Sequence, residues 1–340
     1  MPPPKLQFCV DVEPEDTVSM TWSVGADGSI EHRPSGMKIS AEGGVQMDGQ
    51  QYKLSPADIE LEDNMLGHGA GGIVQKGIHK PTGTPVAIKT IKVDAKAKKE
   101  QMLNEIKGLI NAQGCPQLVQ WYAAFVAKNT GAVHVALELM DRGSLADVKK
   151  RLPADVKGVP EKILASIAQD VLLGLAHLHG KKKMLHRDIK PENILMNSTG
   201  HVKLTDFGIS RDLNSTVAMA ATFVGTATYM SPERALGQDY SYASDIWSVG
   251  MVIYELATRQ YPFPNITSFP VLFDYLCTRQ EPRLDKETYS PELCEFIEKA
   301  LVRDTTFRLG ADNLLQLPFI KKAATHEEVA KWLTDNGFGT

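Results

Sequence analysis

The spacing of apolar residues changes part-way along this chain. Between Leu61 and Leu139 they fall in short runs that read as strands. Two strands flank a glycine loop at 67–72, a third covers Thr84 to Ile91, and two β-rich runs follow at Leu118–Val126 and Val133–Leu139. One helix interrupts them at 96–111. There Met102, Ile106, Leu109 and Ile110 recur at helical spacing, and Lys96, Lys98, Lys99 and Lys107 take other faces. After Gly143 the pattern is mainly helical. Ile163, Ile167, Val171, Leu175 and Leu178 form a stripe predicted to stop at Gly180. Ala243–Thr258 is apolar on nearly every face, which predicts a helix buried in a core. The expected fold class is α+β, with a β-rich small lobe at 56–140 and a mainly helical large lobe at 141–322.

The two ends differ from this body. Residues 1–55 are rich in Gly, Pro, Asp, Glu and Ser and predict a largely flexible or regulatory extension. One hairpin is expected in it, with Val18 to Val24 and Ser29 to His32 on either side of Gly25-Ala26-Asp27-Gly28. Residues 323–340 predict a helical tail carrying Glu327, Val329, Ala330, Trp332 and Leu333. Lys181-Lys182-Lys183 reads as a solvated loop.

Composition narrows the function classes. The 340 residues suffice for two lobes with sizeable cores. Net charge of −4 gives no basic footprint for nucleic acid. Cys9, Cys115, Cys277 and Cys294 are far apart with no CxxC pair, so reduced thiols are expected, with no disulfide framework or zinc site. There is no run of about 18 apolar residues. Met1-Pro2-Pro3-Pro4-Lys5 lacks a signal-peptide pattern, Pro2 excludes a myristoylated glycine, and no prenylation cysteine ends the chain. The expectation is a monomer in the cytoplasm, with the nucleus as a second location, meeting neither membrane nor nucleic acid.

The chemistry concentrates in two runs. His186-Arg187-Asp188-Ile189-Lys190-Pro191-Glu192-Asn193 places an acid, a base and an amide together, and Asp206-Phe207-Gly208 adds a second carboxylate. Phosphoryl transfer from ATP needs such a set, and both runs match general protein-kinase signatures. Asp188 orients the attacking hydroxyl, and Lys190 brings a positive charge to the transferring group. Asn193 and Asp206 offer the hard oxygens that Mg²⁺ prefers. His186 reads as a packed structural residue. Upstream, Gly67-His68-Gly69-Ala70-Gly71-Gly72 contains GxGxxG, a pattern shared with dinucleotide-binding folds. Here Ile73 to Gly77 continues as a strand, and Val86-Ala87-Ile88-Lys89 follows. Lys89 can neutralise the α- and β-phosphates. It needs a counter-ion, and Glu105, on the helical face of Met102 and Leu109, is expected to supply it in preference to Glu100.

With these residues in place, 60–320 resembles the eukaryotic protein kinase catalytic domain. Ser231-Pro232-Glu233 stands where the family has Ala-Pro-Glu, and Asp245-Ile246-Trp247-Ser248 matches its buried-helix start. The resemblance implies the bilobal kinase fold and an Arg308–Glu233 pair. Lys190 is of the Ser/Thr type, and Thr226 matches the residue that braces Asp188 and Lys190. Phe223 to Arg234, with Tyr229-Met230-Ser231, resembles the MAP kinase kinases, dual-specificity enzymes acting on Thr and Tyr of a MAP kinase activation loop. By that resemblance ATP lies under Leu66, Gly67, His68, Gly69, Ala70, Gly71 and Gly72. Leu137 is the gatekeeper, Glu138 to Met140 bind adenine through the backbone, and Val74, Ala87 and Leu195 sandwich its ring.

The activation segment departs from animal members. Thr222 fills the second phospho-acceptor position, but Ala218 stands at the first. Thr216 with Thr222 fits the plant spacing, Ser215 competes with Thr216, and Thr205 is also plant-like. The resemblance implies an upstream MAP kinase kinase kinase and a downstream MAP kinase as partners. Pro2 to Phe8 is a thin version of MAP-kinase-docking peptides, and the C-terminal tail either binds the upstream kinase or packs back on the large lobe. A Ser/Thr kinase with broader substrates is the alternative. A pseudokinase would require the loss of Lys89, Asp188, Asn193 or Asp206, and all four are present.

Overall fold

The computed structural model describes residues 21–206 and 229–338, apart from positions 26, 41, 48, 70, 71, 94, 95, 128, 129 and 154. The chain divides into two compact units: 1–98 with 122–136, and 99–121 with 137–340. Residues 99–121, expected in the small lobe, thus belong to the second unit.

The first unit opens with a correction. Where a mostly flexible extension with one hairpin was predicted, five strands form an antiparallel meander: β1 (Trp22–Val24), β2 (Ile30–His32), β3 (Met37–Ser40), β4 (Gly44–Met47) and β5 (Gln50–Tyr52). The predicted 25–28 turn is its first link, with Gly28 N donating to Gly25 O. Register aligns Val24, Ile30, Ile39, Val45 and Tyr52 in one row. Ile30, Ile39 and Val45 in that row are buried, while Lys38 and Gln46 on the other face are exposed. The glycines that suggested flexibility sit in the turns, where Gly28, Gly36 and Gly49 adopt the left-handed φ that other residues resist. Each strand has three or four residues, too few for a periodic signal. Residues 1–20, with the docking-like Pro2–Phe8, lie outside the described residues.

A second five-stranded sheet follows, ordered β6-β7-β8-β10-β9: β6 (Ile59–Gly69), β7 (Gly72–His79), β8 (Thr84–Ile91), β9 (Trp121–Val126) and β10 (Val133–Glu138). Leu54, Ile59, Val86, Ile88, Ala123, Phe125 and Ala136 make one core cluster, and Tyr52 of the meander packs against it. Helix α1 (Lys96–Ala112) matches the predicted span closely.

The second unit is mainly helical, with α2 (Leu145–Arg151), α3 (Glu161–Ala176), α4 (Pro232–Ala235), α5 (Tyr242–Thr258), α6 (Phe269–Cys277), α7 (Pro291–Ala300), α8 (Ala311–Leu314) and α9 (His326–Asp335). A small sheet joins β11 (Gly143–Ser144), β12 (Ile194–Met196) and β13 (Val202–Leu204). The core is α3 against α5, with α7, α8 and β13 packed on them. Glu161–Lys182 is long and apolar enough to cross a membrane, yet most of it is buried as this core. Its end differs from expectation. The chain does not stop at Gly180 but runs through a π-turn to Lys182, and Lys183 takes the left-handed cap, donating its amide to Leu178 O. The lysine run is exposed as predicted, but in helical form. The tail packs back on its own unit: Val329 and Leu333 are buried, and His326 stacks on His201 at 4.0 Å while bonding Asp170 at 3.1 Å.

Ile39→Asp places a charge at a fully buried position of the meander, a cost of several kcal/mol. Trypsin should then cut at Arg33 and Lys38 at least about tenfold faster than in the parent, while the remaining fragment stays resistant. Equal cutting rates would show that 22–52 is not a folded sheet.

Candidate active site

In the first unit, β6 and β7 pair up to Gly69 and Gly72, so the glycine run closes a β-hairpin and opens no helix. This excludes the dinucleotide-binding arrangement. Gly72 has φ +134, and a Cβ there would lie 2.0 Å from Thr90 O. Val74 lies opposite Lys89 and Lys76 opposite Ala87, so Val74, Ala87 and Lys89 share one sheet face. The alternate residues Val86 and Ile88 enter the core cluster. Lys89 is only 5% exposed. Leu66, Gly67, His68 and Gly69 end β6, and Ala70 and Gly71 lie outside the described residues.

In the second unit Glu105 is 2% exposed, on the inward face of α1 with Met102 and Leu109 as predicted. Leu137 and Met140 are buried, and Leu195 is half-buried on β12. Glu138 carries an interaction the sequence did not indicate. Its carboxylate takes Lys203 Nζ at 2.6 and 2.8 Å and the Gln120 amide at 3.1 Å. Its own amide donates to Gln120 O at 2.9 Å.

The catalytic run is gathered around Asp188. Lys190 Nζ and Asn193 Nδ2 both donate to its Oδ2 at 2.8 Å, and among the described residues its carboxylate bonds fall on that oxygen. Asn193 Nδ2 also reaches Asp188 O at 2.8 Å, so the amide oxygen of Asn193 is the atom it can offer a metal. Thr205 N donates to Asn193 O at 3.0 Å, which ties the residue before Asp206 to this loop. Asp206 has φ +57. An amide oxygen and a carboxylate on tied segments are hard donors of the kind Mg²⁺ takes. His186 is fully buried, its Nδ1 accepting from Asp188 N, and burial pushes its pKa down, so it is a neutral structural residue as predicted.

Sequence reasoning missed what holds this loop. Asp245, fully buried at the start of α5, accepts from His186 N and Arg187 N at 2.9 Å each, His179 Nε2 at 2.8 Å and the Tyr240 hydroxyl at 2.9 Å. Burial raises its carboxyl, but these bonds and the nearby imidazoles outweigh it and hold the pKa below the usual range. The available signal was an acid at the start of a mostly apolar helix, which demands partners. Phe207, Ser215, Thr216, Ala218, Thr222 and Thr226 lie outside the described residues.

The family model for the protein kinase domain matches residues 61–320. Mitogen-activated protein kinase kinase SIPKK of Nicotiana tabacum is 37% identical over 92% of this chain and 89% of its own length. Mitogen-activated protein kinase kinase 2 of Arabidopsis thaliana is 39% identical over 84% of the chain and 78% of its length. Mitogen-activated protein kinase kinase 3 of the same plant is 42% identical over 76% of the chain, which spans 49% of that relative. The chain belongs to the MAP kinase kinases. It is a dual-specificity protein kinase of plant-type pattern, it uses ATP, and its place is between an upstream kinase and a MAP kinase substrate.

In this kinase Arg308 anchors the end of the activation region, as the resemblance implied. Its guanidinium binds Glu233 at 2.8 and 3.0 Å and the carbonyls of Val302, Ala243 and Arg303, so all five donors are used. Burial raises the Glu233 carboxyl, and the Arg308 bonds and charge more than reverse this, leaving its pKa below the usual range. A depressed folded pKa contributes stability above the unfolded value of about 4.3, and that stability is lost as pH falls through the folded value. Glu233→Gln leaves Arg308 uncompensated and should cost about 3–5 kcal/mol in denaturant melts at pH 7. The variant should also show a shallower loss of Tm below about pH 4.5 than the parent.

Proposed function

We propose that Asp188 orients the hydroxyl of the target Thr or Tyr and takes its proton late in transfer, while Lys190 steadies the transferring phosphoryl group. The observation that carries this is the bonding of the Asp188 carboxylate: among the described residues, Lys190 and Asn193 both donate to its Oδ2, so its side-chain bonds fall on one oxygen. Lys89 neutralises the α- and β-phosphates with Glu105 as counter-ion, Leu66 to Gly72 cover the phosphates, and Val74, Ala87, Leu137, Glu138, Met140 and Leu195 receive the adenine. Asn193 and Asp206 hold Mg²⁺, which when bound neutralises the phosphate charge.

Activation follows from charge. Phosphate on Thr222, with a second on Thr216 or Ser215, brings nearly two negative charges and strong acceptors. Arg187 is the natural partner, since it adjoins Asp188 and is held in a left-handed conformation, φ +71, by Asp245. Pairing the two orders the segment and fixes the catalytic loop. The free thiols of Cys115, Cys277 and Cys294 and an acidic charge balance support a cytoplasmic and nuclear monomer without nucleic-acid partners.

Asp188→Asn should lower kcat on a catalytically dead MAP kinase by about 10²–10⁴. Transfer at the parental rate would remove Asp188 from its role. After treatment with an activating kinase, Thr222→Ala should lose more activity than Ser215→Ala in the same assay. Parental activity in Thr222→Ala would rule out Thr222 as the switch.

A further inference from the structure

The second sheet carries a recess that the reaction above does not use. Strand residues alternate between faces, so Val74, Ala87 and Lys89 share one face and Val86 turns to the other. On that other face opens a cavity of about 280 Å³. Its floor is apolar, because Leu54, Ile59, Val86, Ala123 and Ala136 are all buried members of the core cluster. Two of these five are alanines, on the neighbouring strands β9 and β10. Their short side chains leave depth, whereas Phe125, two residues along β9 on the same face, fills its own space.

The mouth is polar and is fixed from two sides. One side is the turn between β7 and β8. There His79 O accepts from Thr82 N at 3.1 Å and Gly83 N at 2.8 Å, and Gly83 takes φ +68. The other side is the linker from Lys53 to Asp58, folded by reciprocal bonds between Ser55 and Asp58. Lys80 N donates to Asp58 O at 2.8 Å and ties linker to turn. His79 Nδ1, Thr82 Oγ1 and Thr84 Oγ1 form a chain of contacts at 2.7 and 2.8 Å. Thr82 gives its hydrogen to Thr84, so it accepts from His79 Nδ1–H, and the Thr84 hydroxyl hydrogen is left to donate. Exposed Lys53 brings a positive charge to the mouth and forms no ion pair among the described residues. Among those residues no Asp or Glu lines the cavity, and the Asp58 carboxylate is turned to the Ser55 amide at 3.0 Å.

We propose that this recess binds a small organic carboxylate, its aromatic or branched aliphatic body on the floor of Leu54, Val86 and Ala136 and its charge toward Lys53 and the Thr84 hydroxyl. An apolar floor with a few convergent polar groups is the make-up of a small-molecule site. The volume falls just under the common range of roughly 300–1,000 Å³, which selects a single ring or a short branched chain. Charge selects the head group: a cation would meet Lys53 and no carboxylate, whereas an anion gains charge-assisted hydrogen bonds, about twice as strong as neutral ones. Every lining residue belongs to the first unit, on the sheet face opposite Ala87 and Lys89, so this ligand and ATP bind together.

The test titrates the full chain with 4-(trifluoromethyl)benzoate and with its neutral amide, followed by fluorine NMR. The carboxylate should bind with Kd below about 1 mM, and the amide about tenfold more weakly. Saturating Mg²⁺-ATP should leave the carboxylate Kd within about twofold. Ala136→Leu fills the floor and should weaken both probes at least about tenfold. Lys53→Met and Thr84→Val alter only exposed positions and should weaken the carboxylate, by about tenfold and about threefold, while leaving the amide unchanged. These two variants decide the matter if Ala136→Leu fails to fold. Absence of binding, equal affinity for carboxylate and amide, or parental carboxylate affinity in Lys53→Met would overturn the proposal. Displacement by ATP would place the probe in the nucleotide site and overturn it as well. None of these readouts uses phosphoryl transfer, so failure here and failure of the kinase assignment are separate results.

Discussion

The catalytic apparatus depends on a single buried carboxylate. Asp245 has no exposure to water and meets four donors, two of them the backbone amides of His186 and Arg187. Those two bonds hold Arg187 in a left-handed conformation, a strain of about 1–3 kcal/mol for a residue with a side chain. Asp188 follows directly, so the direction in which its carboxylate leaves the loop is set by a helix dozens of residues away in sequence. Lys190 and Asn193 then complete the alignment by binding one of its two oxygens.

Helix α5 extends that role along its length. Asp245 holds the catalytic loop, Ser244 reaches Glu233, Ser248 reaches the Tyr229 backbone, and Glu255 reaches the Tyr229 hydroxyl. Its remaining buried face is apolar and packs on α3 and α7. Apolar packing makes the helix rigid, and a few polar groups at chosen positions pass that rigidity to the segments where chemistry occurs. Two of the acids, Asp245 and Glu233, are held below their ordinary pKa range, so this support is strongest near neutral pH and weakens with acid.

Much of the architecture was legible because long elements repeat their pattern. The span Thr84–Ile91 was read correctly to the residue, and α1 and α5 differ from expectation by one residue at one end. Reading failed where elements are short or where an ending is a matter of packing. Three- and four-residue strands rich in turn glycines resemble flexible chain, because burial of the row Ile30, Ile39 and Val45 depends on four neighbouring strands. Gly180 looked like a stop, but the helix ran on because Lys183 could take the cap.

The sequence by itself determined the family and the reaction, and it marked Asp188, Lys190, Asn193, Asp206 and Lys89 as the candidate groups, since they stand in runs whose local order is itself the signal. It also determined that Glu105 faces inward, because helical spacing alone fixes that. Only the tertiary structure decided which atoms are engaged: that Oδ2 of Asp188 is taken, that Asp245 holds the loop, and that Glu255 fills both oxygens from Lys149 and Tyr229. Hydrogen bonds between residues dozens of positions apart leave no local periodicity, and a buried carboxylate selects its partners by what the packed fold brings within 3 Å.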